Sequence, residues 1–463
     1  MNLPFLWIIL PVLLSTATLL IRKKTLLYRS VLAALTFLLG IGAFIMAAQS
    51  SGAAMSISSS EKFLILGRSL NVTYTDLRLI GMIYLIACTW IISTFFYFPN
   101  EYFPAFCVAY TAFIITSISI DPFLYSVLIL FLANALFLPV LSSRTYKHIT
   151  GRMRFLVFQL LSVFLILLAG WILAGGEIAP VEEDQLFISS ILLGCGIALW
   201  LGVFPFHTWI PLLAEEVSFF PFGFMLTLMP VSGIFMLLKF LNNFAWLREY
   251  SAFYPALQYL GSVMILLGGI GAFFQKSTAR MVAYVFISGI GMLLCSVGFI
   301  PLVSTDLVSA WLMPFVIAFW SISLAYHELA DTKMGQTIEN LKGKLFDKPL
   351  HTILLISGLF SIIGLPFFSG FAPTILMLHT ASESKRIILL AILGGEIFLI
   401  LTCIRLMLRL TLRSDQKLVI PDKINIDRIL VVLVILLNIF MGIFPSVFLG
   451  PLFTTLNQIF PLI

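Results

Sequence analysis

The sequence predicts an all-α polytopic membrane protein of about fourteen transmembrane helices, and three observations carry that prediction. Of the 463 residues, 60% are hydrophobic and only 10% are charged. Mean hydropathy is +1.09. Apolar runs of about 18–25 residues recur along the whole length, and each is long enough to cross a bilayer. A soluble domain does not have this composition. The formal charge of +6 therefore points to basic membrane loops rather than to nucleic acid.

The predicted spans fall at 3–21, 29–48, 77–97, 103–120, 122–143, 154–175, 186–206, 219–243, 255–274, 277–298, 302–327, 350–378, 385–411 and 427–448. The first has no basic residue before it and no small-residue cleavage site, so it reads as a retained helix rather than a signal peptide. Residues 1–100 hold spans 1–3. Within 49–76 the apolar stretches 63–66 and 70–74 flank Gly67, which predicts a small β-hairpin. The mixed-charge connection 328–349 reads as a surface helix, and 412–463 holds the last helix. Cys88, Cys107, Cys195, Cys295 and Cys403 all sit in apolar runs with no CxxC or Cys/His cluster, so they read as packing residues and no metal site is expected.

Charge sets the expected topology. Odd-numbered loops hold nineteen Lys and Arg, beginning with Arg22, Lys23 and Lys24, whereas even-numbered loops hold only Lys62, Arg68, Arg248, Lys385 and Arg386. The positive-inside rule then puts odd loops in the cytoplasm and both termini on the outer side, as an even number of spans requires.

Two spans carry internal breaks. The seventh is interrupted at Gly202-Val203-Phe204-Pro205, with Pro211 beyond, inside the stretch GVFPFHTWIPLLAEE of residues 202–216. The twelfth is interrupted at Gly364-Leu365-Pro366, with Pro373 beyond. Proline has no backbone N–H and interrupts helical hydrogen bonding. In lipid a break is tolerated only where protein or a water-filled cavity satisfies the freed groups. A broken helix beside ionisable residues is therefore where an ion path is sought first. The breaks lie five spans apart, an odd offset that inverts the second unit relative to the first.

The segment Phe204-Pro205-Phe206-His207-Thr208-Trp209-Ile210-Pro211 resembles the FPFHTWLP motif of the antiporter-like membrane subunits of respiratory complex I, Mrp-type antiporters and membrane-bound hydrogenases. Three further segments resemble that family in order. They are Gly233-Ile234-Phe235-Met236-Leu237-Leu238-Lys239-Phe240, Arg280-Met281-Val282-Ala283-Tyr284 with Ser288-Gly289-Ile290-Gly291, and Gly364-Leu365-Pro366-Phe367-Phe368-Ser369-Gly370-Phe371. The resemblance implies fourteen helices with two inverted five-helix repeats, spans 4–8 (residues 101–243) and spans 9–13 (residues 255–411), with helices 7 and 12 broken. It implies other integral membrane subunits as partners, in the inner membrane of a bacterium or archaeon.

The resemblance also implies a central row of buried ionisable groups that carry protons. Carried over position by position, that row is missing. The fifth-span glutamate, five residues before a proline, falls on Asn134. The seventh-span lysine, five before the first proline of FPFH, falls on Trp200. The eighth-span lysine falls on Val231, the twelfth-span ion on Thr374 and the tenth-span histidine on Gly289. None of these side chains exchanges protons at physiological pH. The remaining candidates for an ion path are His207, Glu396 and Lys239, with hydroxyls such as Ser232, Thr227 and Thr374. Glu396 is expected to pair with a lysine or arginine. Lys239, near a helix end, is expected to snorkel to the interface. Glu215 and Glu216 are expected in an exposed loop, with Glu216 at the family's loop glutamate.

No catalytic residue and no cofactor is expected, because the chain has no Fe–S cysteine set and no GxGxxG or GxxxxGK loop. The expected function is a structural or coupling subunit of the membrane arm of a complex I-related assembly, with a degenerate proton path. The alternatives are an active proton or sodium translocator using a rerouted path, and the membrane module of an inorganic-carbon or other solute transporter.

Overall fold

The computed structural model of the chain describes residues 3–52, 63–65, 67–73, 76–97, 100–141, 149–174, 183–329, 337–412 and 426–460. Among these residues ten helices are long and apolar enough to cross a membrane, or eleven if the bent pair Arg428–Ile443 and Pro445–Ile459 forms one span. Three shorter apolar helices accompany them, Phe5–Ile21, Phe103–Ser119 and Pro349–Ile363. Helix is the expected solution, since it satisfies every backbone group within one segment. Phe219–Asn243, Thr278–Gly298 and Asp306–Leu329 are each 94% buried, against 33% for Thr25–Ala48 and Thr150–Leu173. The first three are thus enclosed by protein, and the last two leave most of their apolar surface for lipid.

The chain divides into two compact units. One comprises Met1–Leu141, Leu156–Trp200 and Phe235–Lys239; the other comprises Ser142–Phe155, Leu201–Ile234 and Phe240–Ile463.

The first unit contains the only sheet among the described residues, three short antiparallel strands. Phe63–Ile65 pairs with Arg68–Leu70 across Gly67, whose φ of +75° suits glycine. Arg68–Leu70 also pairs with Ile120–Asp121, which sets Leu70 opposite Ile120. The second strand begins two residues before the stretch the sequence favoured, and Ile120–Asp121 carried no sequence signal for a strand. Residues 53–62, 66 and 74–75 of the expected hairpin region lie outside the described residues. Arg68 closes the sheet by donating to the Tyr125 hydroxyl.

In the second unit the helix Phe253–Phe274 is clasped by Arg386–Thr411. A Cβ on Gly269 would stand 2.3 Å from the Gly395 carbonyl oxygen, and one on Gly395 would stand 2.5 Å from that of Ile265. Only glycines permit backbones this close. Arg405 completes the joint by donating to the carbonyls of Phe273 and Gln275, which end the Phe253–Phe274 helix with no partner of their own.

The twelfth span, interrupted at Gly364 in the sequence, is two helices, Pro349–Ile363 and Phe371–Glu383, with seven non-helical residues between them, and two other parts differ from the sequence expectation. The connection before it is not one surface helix: its described part is a 3-10 turn, Ile338–Leu341, and the four-residue helix Lys344–Asp347. The Gly343 between them adopts φ +77°, which interrupts any continuous helix. The C-terminal segment also continues beyond one helix, turning by 78° into Pro445–Ile459. Pro445 at the first position starts that helix rather than extending the previous one.

Gly395→Val is expected to lower the thermal unfolding midpoint of the detergent-solubilised protein, with an overpacking cost of about 1–3 kcal/mol. Gly194→Ala, where an added Cβ meets nothing within 4 Å, is expected to leave it unchanged or slightly raised.

Candidate functional site

The two helix breaks are where the backbone leaves the helix inside apolar surroundings. At the first, the helix Glu183–Leu201 stops before any proline is reached. Gly202 takes φ +65°, and a Cβ there would stand 2.8 Å from Ile210 Cδ1. Glycine is therefore required both by conformation and by space. The break begins at Gly202 rather than at Pro205, which lies in the linking turn. A 3-10 turn Phe206–Thr208 leads into the helix Trp209–Glu216. Pro211 is the third residue of that helix, where the N–H has no intrahelical partner to lose, so it sits in the first turn without breaking the helix.

Ending a helix early frees carbonyls. The Trp200 carbonyl is taken by Gln159, whose Nε2 donates to it at 3.2 Å. Gln159 Oε1 accepts from Asn134 Nδ2 at 3.1 Å, and Asn134 Oδ1 accepts from the Tyr110 hydroxyl at 2.7 Å. Tyr110, Asn134, Gln159 and Trp200 are all buried. They form one directed hydrogen-bond chain inside the first unit, from the Tyr110 hydroxyl to the backbone of the broken helix. A turn along from Gln159, Ser162 donates to the Gly196 carbonyl at 2.6 Å.

The second break has the same construction with different residues. Gly364 takes φ +72° and ends Pro349–Ile363, and Leu365 N–H donates back to the Phe360 carbonyl at 3.0 Å while Gly364 N–H reaches that of Ser361. Asn438 then holds the break. Its Oδ1 accepts from Ser369 N–H at 3.2 Å and Ser361 Oγ at 2.7 Å, and its Nδ2 donates to the Ser357 carbonyl at 3.1 Å. Pro366 lies in the linking turn. Thr374 Oγ1 donates to the Gly370 carbonyl at 2.8 Å and packs against Gly364.

The acidic pair after the first break is not in an exposed loop. Glu216 is buried, and its two oxygens accept from the backbone N–H of Gly151 at 2.8 Å and Arg152 at 3.2 Å. It thus satisfies two of the free N–H groups that open the helix Thr150–Ala174. Glu215, partly exposed, pairs with Arg280 at 2.8 Å.

His207 is half-buried, its ring stacked on Phe204 at 5.7 Å and edge-on to Tyr284 at 6.2 Å, with Nδ1 enclosed and unbonded. Glu396 is 8% exposed beside the Gly269–Gly395 contact, and its Oε1 has no hydrogen-bond partner among the described residues. The expected lysine or arginine partner is absent from the ion pairs among the described residues. Lys239 lies four residues before the end of Phe219–Asn243, half-buried. Ser232 and Thr227 donate to the carbonyls of Met229 and Gly223 in their own helix. Val231 is buried, and Gly289 lies under a phenylalanine cluster, with a Cβ there 3.0 Å from the Phe315 ring. Within the second unit no hydrogen bond among the described residues joins any two of His207, Glu396, Ser232 and Thr374.

The family described as NADH:quinone oxidoreductase/Mrp antiporter, transmembrane, matches residues 83–399. The chain belongs to that family. A curated relative, NADH-quinone oxidoreductase subunit N of Wolbachia sp. subsp. Brugia malayi (strain TRS), is 25% identical over 181 residues, which is 39% of this chain and 38% of the relative. The match spans 38% of that relative's length and 50% of that of NADH-ubiquinone oxidoreductase chain 2 of Loxodonta africana. Two solved structures share the fold over nearly all of both chains. One is a chain of the membrane-bound sulfane sulfur reductase, an archaeal respiratory membrane complex (TM-score 0.81, 15% identity, 99% and 98% covered). The other belongs to the Mrp complex of Dietzia sp. DQ12-45-1b (TM-score 0.81, 13% identity, 99% and 98% covered). This is an integral membrane protein of the family's helical fold.

The sequence reading missed Gln159 and Asn438. Each is the lone carboxamide inside a long apolar span, and that was the available signal: a polar side chain in lipid needs a partner. Gln159→Leu is expected to lower the thermal midpoint by several degrees, because it strands both the Trp200 carbonyl and Asn134 Nδ2, at about 1–3 kcal/mol for each unsatisfied group. Gln159→Met, equally long but without donors, is expected to behave like Leu; a stability equal to wild type would mean the chain is dispensable.

Proposed function

We propose that this chain is a membrane-arm subunit of a complex I-related assembly that holds or couples its neighbours without conducting protons along the family's usual row. One observation carries the reading. Asn134 and Trp200, the positions of the family's fifth-span glutamate and seventh-span lysine, are joined through Gln159 by neutral hydrogen bonds. A carboxamide neither gains nor loses a proton at physiological pH, so a glutamate–lysine relay is replaced by a fixed strut. The aromatic cover over Gly289 and the self-bonded hydroxyls of Ser232 and Thr374 extend the same pattern.

The finer architecture belongs to this reading. Eleven long spans and three shorter apolar helices make fourteen crossings if each shorter helix also crosses. Two inverted repeats, residues 101–243 and 255–411, then hold one break each, and the matching glycine turns at Gly202 and Gly364 support that arrangement. The basic residues of the odd loops favour a cytoplasmic face there and both termini outside, in a bacterial or archaeal inner membrane. Partners are other integral subunits, as in the complexes that hold its structural neighbours.

A second reading rests on His207 and Glu396, two titratable groups with unbonded atoms, as parts of a rerouted proton or sodium path. Proton uptake per turnover in proteoliposomes of the assembled complex separates the two. His207→Ala and Glu396→Gln are each expected to leave the ratio unchanged, whereas a rerouted path loses part of it with either substitution. Glu396→Leu is expected to be neutral or stabilising in a thermal melt, since it removes a buried carboxyl that has no partner among the described residues.

A further inference from the structure

In the first unit an apolar cleft of about 250 Å³ runs between the helix Leu10–Thr18 and the helices Phe103–Ser119 and Ser126–Leu141. Val12, Ser15, Thr16 and Leu19 line it at helical spacing from one side, and Phe106, Ala109 and Phe113 from the other. Its hydroxyls are turned away. Ser15 and Thr16 donate to carbonyls of their own helix, and Tyr110 donates inward to Asn134. A wall of this kind offers nothing to a polar ligand, while its length, about 10 Å from Val12 to Leu19, suits part of a hydrocarbon chain.

One end of the cleft is charged. Leu19 is followed, one turn on, by Arg22, Lys23 and Lys24, of which the two lysines are exposed. The facing helix begins at the same end, because the Arg22 guanidinium sits 4.8 Å over the Tyr102 ring, three residues before Ala105 of the lining. Glu101 beside Tyr102 is exposed, which leaves three cations against one carboxylate there. Arg29 is committed elsewhere, donating to the Thr94 carbonyl at 2.6 Å.

We propose that this cleft binds one anionic phospholipid, with an acyl chain along Leu19, Phe106 and Phe113 and the phosphate at Arg22, Lys23 and Lys24. The complementarity is of two kinds at one place, an apolar trough and a cationic end, and a phospholipid with net negative charge is the membrane component that has both. A lysine or arginine near a membrane surface attracts such a headgroup, and the attractions of adjacent ones add in favour of net negative charge. The lipid would also pack on the Tyr110 ring, whose hydroxyl begins the chain to the broken helix.

The test is photo-crosslinking of the full chain in its native complex, in vesicles carrying phosphatidylglycerol with a diazirine midway along one acyl chain, against the same probe on phosphatidylcholine. The phosphatidylglycerol probe is expected to label the peptides holding Leu19 and residues 106–113 at least threefold more than the phosphatidylcholine probe. Arg22→Gln with Lys23→Gln and Lys24→Gln is expected to reduce labelling to the phosphatidylcholine level, and Ala109→Trp, which fills the trough, to reduce labelling by both probes. Equal labelling of the wild-type chain by the two probes overturns the proposal, and that comparison needs no variant to fold. Absence of label from these peptides in the complex also overturns it, and would show that a neighbouring subunit covers the cleft.

Discussion

A helix that stops inside a membrane leaves carbonyl and N–H groups that water cannot reach, and the protein must bond them itself. This constraint explains the most specific side chains in the structure. Gln159 meets it at the first break and Asn438 at the second, each a carboxamide reaching across from another span. A carboxamide is suited to the task because it donates and accepts at once without carrying charge into lipid. The glycines at 202 and 364 turn the chain, and the carboxamides hold what the turn releases. Breaks secured in this way behave as fixed joints.

The same bonds decide the electrostatics. Where relatives are expected to keep an acid and a lysine, this chain keeps Asn134 and Trp200, linked through Gln159. A buried ion pair would cost desolvation and would respond to charge moving nearby. The neutral chain does neither, and it still ties the helix Ser126–Leu141 to Thr150–Ala174 and Glu183–Leu201. Charge is retained where it caps helices: Glu216 on the first N–H groups of Thr150–Ala174, Arg405 on the last carbonyls of Phe253–Phe274. Polar order inside these helices is therefore kept largely by neutral groups and by charges at helix ends.

The membrane character, the order of most spans and the positions of both breaks were legible from composition, run length and the Pro/Gly interruptions. The family was legible through the FPFHTW segment. What escaped was three-dimensional. Nothing in the sequence ties Gln159 to a carbonyl forty-one residues away, so it read as an ordinary residue of an apolar span. Glu215 and Glu216 looked exposed because two adjacent acids after a proline resemble a loop, whereas Glu216 is drawn inward by the backbone N–H groups of Gly151 and Arg152. Pro205 seemed to set the break, but Gly202 ends the helix first. The turn into Pro445–Ile459 was hidden because an uncharged amphipathic helix and a continued span look alike in one dimension.

The central claim is that the path positions of the first unit are closed by direct bonds between neutral groups. A map of the assembled complex at a resolution that places ordered waters tests it most directly. The account predicts Tyr110, Asn134, Gln159 and the Trp200 carbonyl bonded to one another with no water between them. A file of ordered waters running past Asn134 and Trp200 across the membrane midplane would contradict it.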